Sequence, residues 1–101
     1  MKKILLLCDA GMSTSLMVKK MKEAAVKKGV EVEINALSIA KFQENLGNYD
    51  VFLLGPQVKY KKAELAAVAE TVGKKVEIIN TMDYGMMKGD KVLDLALSLI
   101  D

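Results

Sequence analysis

Histidine and tryptophan are absent from this sequence of 101 residues, and cysteine and proline occur once each. Without histidine the chain cannot build a His-ligated metal site, a Ser-His-Asp triad or a Cys-His dyad, and it cannot carry phosphohistidine. One cysteine cannot form an internal disulfide, which is typical of proteins in the reducing cytoplasm. We therefore expect a cytoplasmic protein that holds no metal and no cofactor.

Long apolar runs and a strong net charge are also missing. The longest apolar run covers residues 4–8, far short of the ~18 residues of a membrane span. Fifteen basic against 13 acidic residues give a formal net charge of +2, which does not favour nucleic acid as a partner. With 51% hydrophobic and 28% charged residues, we expect one globular domain over residues 1–101 that does not insert into a membrane.

Short apolar runs alternate with helical patterns along the chain. The patterns predict strands over 4–7, 30–37, 49–54 and 76–79, and helices over 13–28, 38–46, 58–72 and 90–100. The Ser13, Thr14 and Ser15 hydroxyls are candidate N-caps for the first long helix, and Gly29 and Gly73 are placed to end helices. This alternation predicts an α/β fold, a parallel sheet with helices on both faces in a three-layer αβα sandwich.

The strand patterns also predict the order of the sheet. Residues 4–7 and 51–54 are apolar throughout, as expected of central strands, whereas 30–37 alternates and 76–79 contains Glu77, as expected of edges. With right-handed crossovers these choices give the order 2-1-3-4. Ligands of such sheets bind at the carboxyl ends of the strands where the order reverses, here between the first and third strands.

One loop at that point carries reactive chemistry. It leads from Cys8, at the end of the first strand, into the first helix through Asp9, Ala10, Gly11, Met12, Ser13, Thr14 and Ser15. Backbone amides of such a loop and the helix N-terminus attract negative charge, so they favour a thiolate and would hold a phosphoryl group on its sulfur. A lone cysteine is often only a small buried residue, and a Ser-Thr-Ser run often only a cap. Their combination here favours a reactive Cys8.

The loop also bears on the type of reaction. A strand followed by Cys-x5-Arg and a helix would indicate a phosphatase, whose arginine clamps the phosphate. Here the sixth residue after Cys8 is Thr14, and residues 9–15 contain neither lysine nor arginine. Such a loop suits a phosphocysteine that is stable enough to be handed on.

Three segments together resemble one known family. The segment CDAGMSTS at 8–15 resembles the active-site loop of IIB components of the bacterial sugar phosphotransferase system, lactose/cellobiose/chitobiose class. LLGPQVKY at 53–60 and Tyr84-Gly85 resemble two further segments of that family. The resemblance covers essentially the whole chain.

The resemblance implies a phosphocarrier with a four-stranded parallel sheet in the order 2-1-3-4, similar to low-molecular-weight tyrosine phosphatases. It implies that Cys8 takes a phosphoryl group from phosphohistidine of a IIA protein and passes it to a disaccharide carried by the membrane component IIC. Residues 9–15 would form the phosphate loop. Cellobiose, chitobiose, lichenan fragments and lactose all remain open as the sugar.

Position 9 departs from the family pattern, because Asp9 stands where a small or neutral residue is common. Its carboxylate would either repel a phosphorylated sulfur or point away and accept a hydrogen bond from a loop amide, as Asx residues do in turns. We favour the second arrangement.

A partner surface is expected around the same end of the sheet. An apolar collar around a charged reactive centre suits two proteins that exchange phosphate, and flexible methionines suit a surface that meets two partners. Candidate residues are Met12, Pro56, Gln57, Val58, Tyr60 and Tyr84, with Met86 and Met87. The alternative is that Val58, Tyr60 and the two methionines only cover the core.

Two other functions compete with the phosphocarrier. A Cys-loop phosphatase or arsenate-reductase-like enzyme would need the missing loop arginine. A receiver-like or flavodoxin-like binding module would need an aspartate after the third strand or aromatic residues around a flavin, whereas Leu54-Gly55 follows that strand and aromatics make up 5% of the chain.

Overall fold

The computed structural model describes residues 1–9 and 12–100, except for the side chains of Met12 and Ser13. Its strands are β1 (Lys2–Cys8), β2 (Val32–Ser38), β3 (Val51–Leu54) and β4 (Lys75–Ile78), and its α-helices are α1 (Met12–Lys28), α2 (Lys62–Glu70), α3 (Thr81–Gly85) and α4 (Gly89–Leu99). Short 3-10 segments cover Ile39–Lys41, Gln43–Asn45 and Pro56–Lys61.

The four strands form one parallel sheet in the order β2-β1-β3-β4, as predicted. Leu5 of β1 lies beside Asn35 of β2 and Phe52 of β3. Both central strands are buried along their apolar residues, because they have helices on both faces and a strand on each side. The edge positions predicted for β2 and β4 are also confirmed.

A separate apolar cluster covers each face of the sheet. One cluster packs α1 and α4 against Ile4, Leu6 and Leu53. The other packs α2 and the 3-10 segments after β2 against Leu5 and Phe52, with the Phe42 ring edge-on to Phe52 at 5.0 Å. Neighbouring residues of β1 therefore serve opposite cores, which confirms the three-layer αβα architecture.

The segment after β3 differs from the prediction of one helix over 58–72. The chain first makes the 3-10 segment Pro56–Lys61, and α2 begins only at Lys62. Val58 has non-helical φ and ψ of −118° and 22°. Its side chain is fully buried in the core, so tertiary burial outweighs helix continuity at this position.

The other boundaries differ in smaller ways. α1 begins at Met12, so the predicted N-cap role of Ser13, Thr14 and Ser15 is wrong, and these residues lie in the first turn instead. The helix predicted over 38–46 is two 3-10 segments, the first of them capped by the Ser38 hydroxyl. Gly29 and Gly73 have positive φ of 68° and 72°, as expected of residues that end helices.

Candidate active site

Cys8 is the last residue of β1 and lies at the carboxyl end of the sheet. Its register partner in β2 is Ser38, and on the other side the Gly55 amide donates to the Leu7 carbonyl at 3.0 Å. The side chain of Cys8 is fully buried. Because β1 and β3 are the central strands, Cys8 occupies the predicted ligand position, where the strand order reverses.

Thr14 gives the thiol a polar contact. It lies in the first turn of α1, it is fully buried, and its Oγ1 is 2.6 Å from Cys8 Sγ. Either atom can be the donor in this hydrogen bond, but a thiolate can only accept, so the hydroxyl donates to it. Thr14 is the one polar residue in the buried core of the described part of the chain, and a polar group at such a position requires a hydrogen-bond partner.

The other predicted loop residues have different surroundings. Asp9 and Ser15 are exposed. Ala10 and Gly11 lie outside the described residues, as do the side chains of Met12 and Ser13, so their predicted roles stay predictions. In the Ser-Thr-Ser run, the hydroxyl of Thr14 contacts the sulfur.

A second loop flanks Cys8 on the β3 side. The Gln57 side chain folds back over Gly55, where a Cβ would lie 2.7 Å from Gln57 Oε1. The Gln57 amide Nε2 donates to the hydroxyl of Tyr84 in α3 at 3.5 Å. This contact joins the segment after β3 to the helix after β4, so it ties together the two chain segments on that side of Cys8.

Only some of the residues predicted to form the partner surface are exposed. Val58 is fully buried and belongs to the core, which corrects its assignment to an exposed collar. Met87 and Tyr84 are half-buried and pack against the α1/α4 core. Pro56 is half-buried, and Gln57 and Tyr60 are exposed. Tyr60 is 69% exposed and remains the clearest aromatic candidate for a partner contact.

Two exposed apolar residues at this end were missed in the sequence. Leu16, in the second turn of α1, is 45% exposed, and Met82, in α3, is 70% exposed. Leu16 and Met82, like Tyr60 and Met86, lie in the segments that follow the carboxyl ends of β1, β3 and β4. The sequence pattern could have predicted the exposure of Leu16, because this residue lies outside the apolar stripe of α1 that contains Met17 and Met21.

Other kinds of site are not found in the described residues. Within 1–9 and 12–100 there is no group of three or more Cys, Asp or Glu side chains that would hold a metal ion. Each helix within the same ranges is too short or too polar to span a bilayer.

Comparisons with known proteins show which family this chain resembles. The family model "PTS system, Lactose/Cellobiose specific IIB subunit" matches residues 3–95. The PTS system oligo-beta-mannoside-specific EIIB component of Bacillus subtilis (strain 168) is 48% identical over 99% of this chain and 97% of its own. The galactose-specific EIIB component of Lactococcus lactis subsp. cremoris (strain MG1363) is also 48% identical, with the same coverage. The same values hold for the cellobiose-specific EIIB component of Lactococcus lactis subsp. lactis (strain IL1403).

Two solved structures have the same fold. The solution structure of a cellobiose-specific IIB protein from Borrelia burgdorferi is 40% identical, with a TM-score of 0.81 over 98% of this chain and 91% of that one. The lactose-specific IIB domain from Streptococcus pneumoniae is 25% identical, with a TM-score of 0.87 over 99% and 98%. Members of this family are phosphotransfer subunits that work with IIA and IIC components. The chain therefore belongs to the lactose/cellobiose-specific IIB family of the sugar phosphotransferase system.

Proposed function

We propose that Cys8 is the phosphoryl carrier of this subunit: it accepts the group from phosphohistidine of a IIA protein and passes it to a disaccharide that IIC transports. The observation that carries the proposal is the buried contact between Cys8 Sγ and Thr14 Oγ1 in the first turn of α1. That contact places a hydroxyl donor at the one thiol of a chain that has no histidine of its own.

The proposed reaction consists of two displacements at phosphorus. The Cys8 thiolate attacks the phosphorus of phosphohistidine, so that an S–P bond forms, the N–P bond breaks and its electron pair returns to the imidazole nitrogen. A sugar hydroxyl then attacks the same phosphorus. The O–P bond forms, the S–P bond breaks, the thiolate is restored, and the hydroxyl proton leaves to solvent or a base.

Thr14 has a role in both displacements. Before transfer its hydroxyl donates to the thiolate, and hydrogen bonds to a charged acceptor are about twice as strong as neutral ones. When the S–P bond breaks, the same donor stabilises the negative charge that develops on sulfur. Because Thr14 is fully buried, this donor is already oriented before the reaction begins.

The Asp9 carboxylate is compatible with this role. Asp9 is exposed, and in water two unit charges 4 Å apart interact by only about 1 kcal/mol. We therefore retain the arrangement in which this carboxylate points away from the sulfur and accepts from a loop amide, so that it does not hinder phosphorylation.

The same residues argue against a phosphatase or an arsenate-reductase-like enzyme. Thr14 stands at the position of the phosphatase arginine, and the chain contains no arginine at all. Without a bidentate cationic clamp, the charge of a hydrolytic transition state has no matched partner. Water attack on phosphocysteine is then slow, which a carrier requires.

For the sugar we propose a disaccharide of the cellobiose or chitobiose kind, and for the location the cytoplasm. One relative and one solved structure are named as cellobiose-specific. Relatives of equal identity are named for oligo-beta-mannosides and galactose, so we assign the choice among sugars to IIC. The single cysteine and the absence of an internal disulfide agree with a reducing compartment.

The test is intact-mass measurement after incubation with phosphoenolpyruvate, the general phosphotransferase proteins and a cellobiose-class IIA. We expect one phosphoryl adduct on the wild-type chain, and none when IIA is omitted. Cys8→Ser is the matched control, because oxygen replaces sulfur with little change in shape. It should keep the wild-type circular dichroism spectrum and accept no phosphoryl group. An adduct on Cys8→Ser would refute the assignment, and release of phosphate from p-nitrophenyl phosphate by the wild-type chain would favour the phosphatase.

A further inference from the structure

Helix α1 concentrates positive charge on one side of the molecule. Its 17 residues hold five lysines and one glutamate, so this helix alone carries a formal charge of +4, whereas the whole chain carries +2. The rest of the chain therefore has a formal charge of −2. All five lysines of the helix are exposed, and they are Lys19, Lys20, Lys22, Lys27 and Lys28.

The helix packed beside α1 does not cancel this charge. Helix α4 contributes Asp90 and Asp94 but also Lys91, and Lys88 is its N-cap residue. Together α1, α4 and Lys88 hold seven lysines and three acidic residues, so their formal charge is again +4. In the described part of the chain, Lys28 is the α1 lysine that forms an ion pair, with its Nζ 2.9 Å from Asp94.

The exposed face of α1 also carries an apolar side chain. Val26 is 81% exposed and lies four residues beyond Lys22, so the two share one side of the helix. A shallow groove of about 460 Å³ follows this side and is lined by Ser15, Val18, Lys19, Lys22, Glu23 and Val26. Lysines around an exposed apolar residue are typical of helices that lie on a membrane surface, where ammonium groups meet anionic lipids and the apolar group enters the headgroup region.

Charge complementarity and the family together identify an anionic bilayer as the partner. Members of this family work with the membrane component IIC, so the subunit has to act close to a bilayer. The chain contains no arginine, the residue that suits bidentate recognition of phosphate or carboxylate, whereas lysine acts as a point charge. Helix α1 also lacks aromatic side chains on which nucleic-acid bases would stack.

The position of α1 keeps the reactive end of the sheet open. The helix covers one face of the sheet, whereas Cys8 lies at the carboxyl end of β1. The first lysine, Lys19, follows Thr14 by five residues, which is roughly 7 Å along the helix axis. A bilayer against the outer side of α1 therefore leaves the carboxyl end of the sheet accessible to partner proteins.

We propose that the exposed face of α1 binds the surface of an anionic membrane through its lysines and Val26, without entering the hydrocarbon core. This binding keeps the subunit near the bilayer in which IIC lies. The proposal goes beyond the phosphocarrier function and does not depend on Cys8, because it concerns the outer side of the helix.

Vesicle flotation tests the proposal. In low salt, we expect the wild-type chain to bind vesicles of phosphatidylcholine that contain about one third phosphatidylglycerol. High salt should release it, because the Debye length falls from about 10 Å at 0.1 M to about 3 Å at 1 M. Vesicles of phosphatidylcholine alone should bind the chain at least about tenfold more weakly.

Matched double variants locate the binding surface. Lys19→Gln/Lys22→Gln removes two charges beside Val26 while keeping good helix formers, and it should lower the partition coefficient on the order of tenfold or more. The control is Lys41→Gln/Lys59→Gln, which removes the same charge from exposed positions in the 3-10 segments on the other face of the sheet. The control should bind within about threefold of the wild type, because those lysines lie away from the bilayer.

Separate readouts distinguish this proposal from the phosphocarrier function. Cys8→Ser should bind the vesicles as the wild type does, and Lys19→Gln/Lys22→Gln should accept phosphate from IIA at the wild-type rate without lipid. The proposal is overturned by a wild-type chain that ignores phosphatidylglycerol vesicles in low salt, or by equal weakening in the two double variants. It is also overturned if Lys19→Gln/Lys22→Gln slows transfer from IIA and leaves vesicle binding unchanged, because the lysines would then serve a protein partner.

Discussion

The two loops that flank Cys8 are built in different ways. On the β1 side, a fully buried hydroxyl of Thr14 lies 2.6 Å from the sulfur. On the β3 side, exposed Gln57 reaches half-buried Tyr84 across 3.5 Å, at the limit of a hydrogen bond. Burial gives the first contact a fixed geometry, whereas solvent competes for the second. This difference agrees with the proposed roles, in which the first loop carries the chemistry and the second contacts partner proteins.

The largest expected effect concerns the first loop. Thr14→Val removes the hydroxyl but keeps the shape, so phosphoryl transfer from IIA should fall on the order of 100-fold, as when one preorganised donor is removed from an active site. Thr14→Ser restores a hydroxyl and should recover most of the rate. The rates are measured by intact mass in a quenched time course.

A readout without partner proteins separates chemistry from docking. The rate at which iodoacetamide alkylates Cys8 should differ between Thr14→Val and Thr14→Ser, because the Thr14 hydroxyl contacts the sulfur itself. Equal alkylation and transfer rates in the two variants would show that Thr14 only fills space.

The next prediction compares the loss of stability when a methyl group is added at two glycines, one packed against α1 and one in the second loop. A Cβ at Gly89 would lie 2.4 Å from the backbone carbonyl carbon of Lys20 in α1, whereas a Cβ at Gly55 would meet only the end of the Gln57 side chain. Helix backbone cannot yield as a side chain can. Gly89→Ala should therefore lower the free energy of unfolding by about 1–3 kcal/mol.

Gly55→Ala should have a net effect close to zero. Gln57 can rotate away, and the loss of unfolded-state entropy contributes about 0.4–1 kcal/mol in favour of the variant. Urea unfolding of both variants gives the comparison. If the two variants lost similar free energies of unfolding, the segment around Gly55 would be as tightly packed as the contact between Gly89 and α1.

A smaller effect distinguishes an exposed residue of the second loop, which we expect to contact IIA, from a buried residue, which we expect to stabilise the fold. Tyr60→Ser should change stability by less than about 0.5 kcal/mol because the ring is exposed, yet it should weaken the complex with IIA in a titration. Val58→Ala removes buried methyl groups and should cost about 2 kcal/mol of stability. Its affinity for IIA should change little while the domain remains folded. The reverse pattern would place the partner surface elsewhere.

The smallest effect is electrostatic and lies at the sheet edge, away from both loops. The hydrogen bond from Lys62, opposed by partial desolvation and aided by the Ile78 amide, holds the pKa of Glu77 below its ordinary value of 4.5. A carboxyl whose pKa is lowered in the folded state stabilises the fold above its unfolded pKa, and this contribution disappears as pH falls through the folded value.

Glu77→Gln should thus be less stable than the wild type by less than about 1 kcal/mol at pH 7, because the pair is partly exposed. The difference should vanish in acid below both pKa values, and it should shrink in high salt. Thermal unfolding across pH measures it. A difference that persists in acid would assign the effect to packing instead of charge.

Much of the fold could be predicted because its signals are local. The apolar runs of β1 and β3, the alternation in β2 and the charged edge strand β4 determine which strands are buried on two faces, and the order follows. Gly29 and Gly73 mark helix ends because positive φ is a local requirement. The prediction that Cys8 lies at the ligand position needed only this topology.

The parts that could not be predicted depend on distant contacts. Local patterns extend a helix through Val58, but the sheet behind it buries that side chain and bends the chain into a 3-10 segment. Met87 adopts a positive φ of 53° while packing against the α1/α4 core, which a methionine rarely does without tertiary support. The close approach of Gly89 to α1 likewise has no signal near it in the sequence.

The sequence by itself determined the class of fold and the order of the sheet, and it singled out Cys8 as the candidate reactive residue, because periodicity and residue type act over short distances along the chain. Only the tertiary structure brought the Thr14 hydroxyl into contact with the sulfur. It also decided which apolar residues of the second loop face solvent, and how Glu77 and Lys62 meet around the edge of β4. These outcomes depend on the direction in which each side chain points once the elements pack, and packing joins residues that are far apart in the chain.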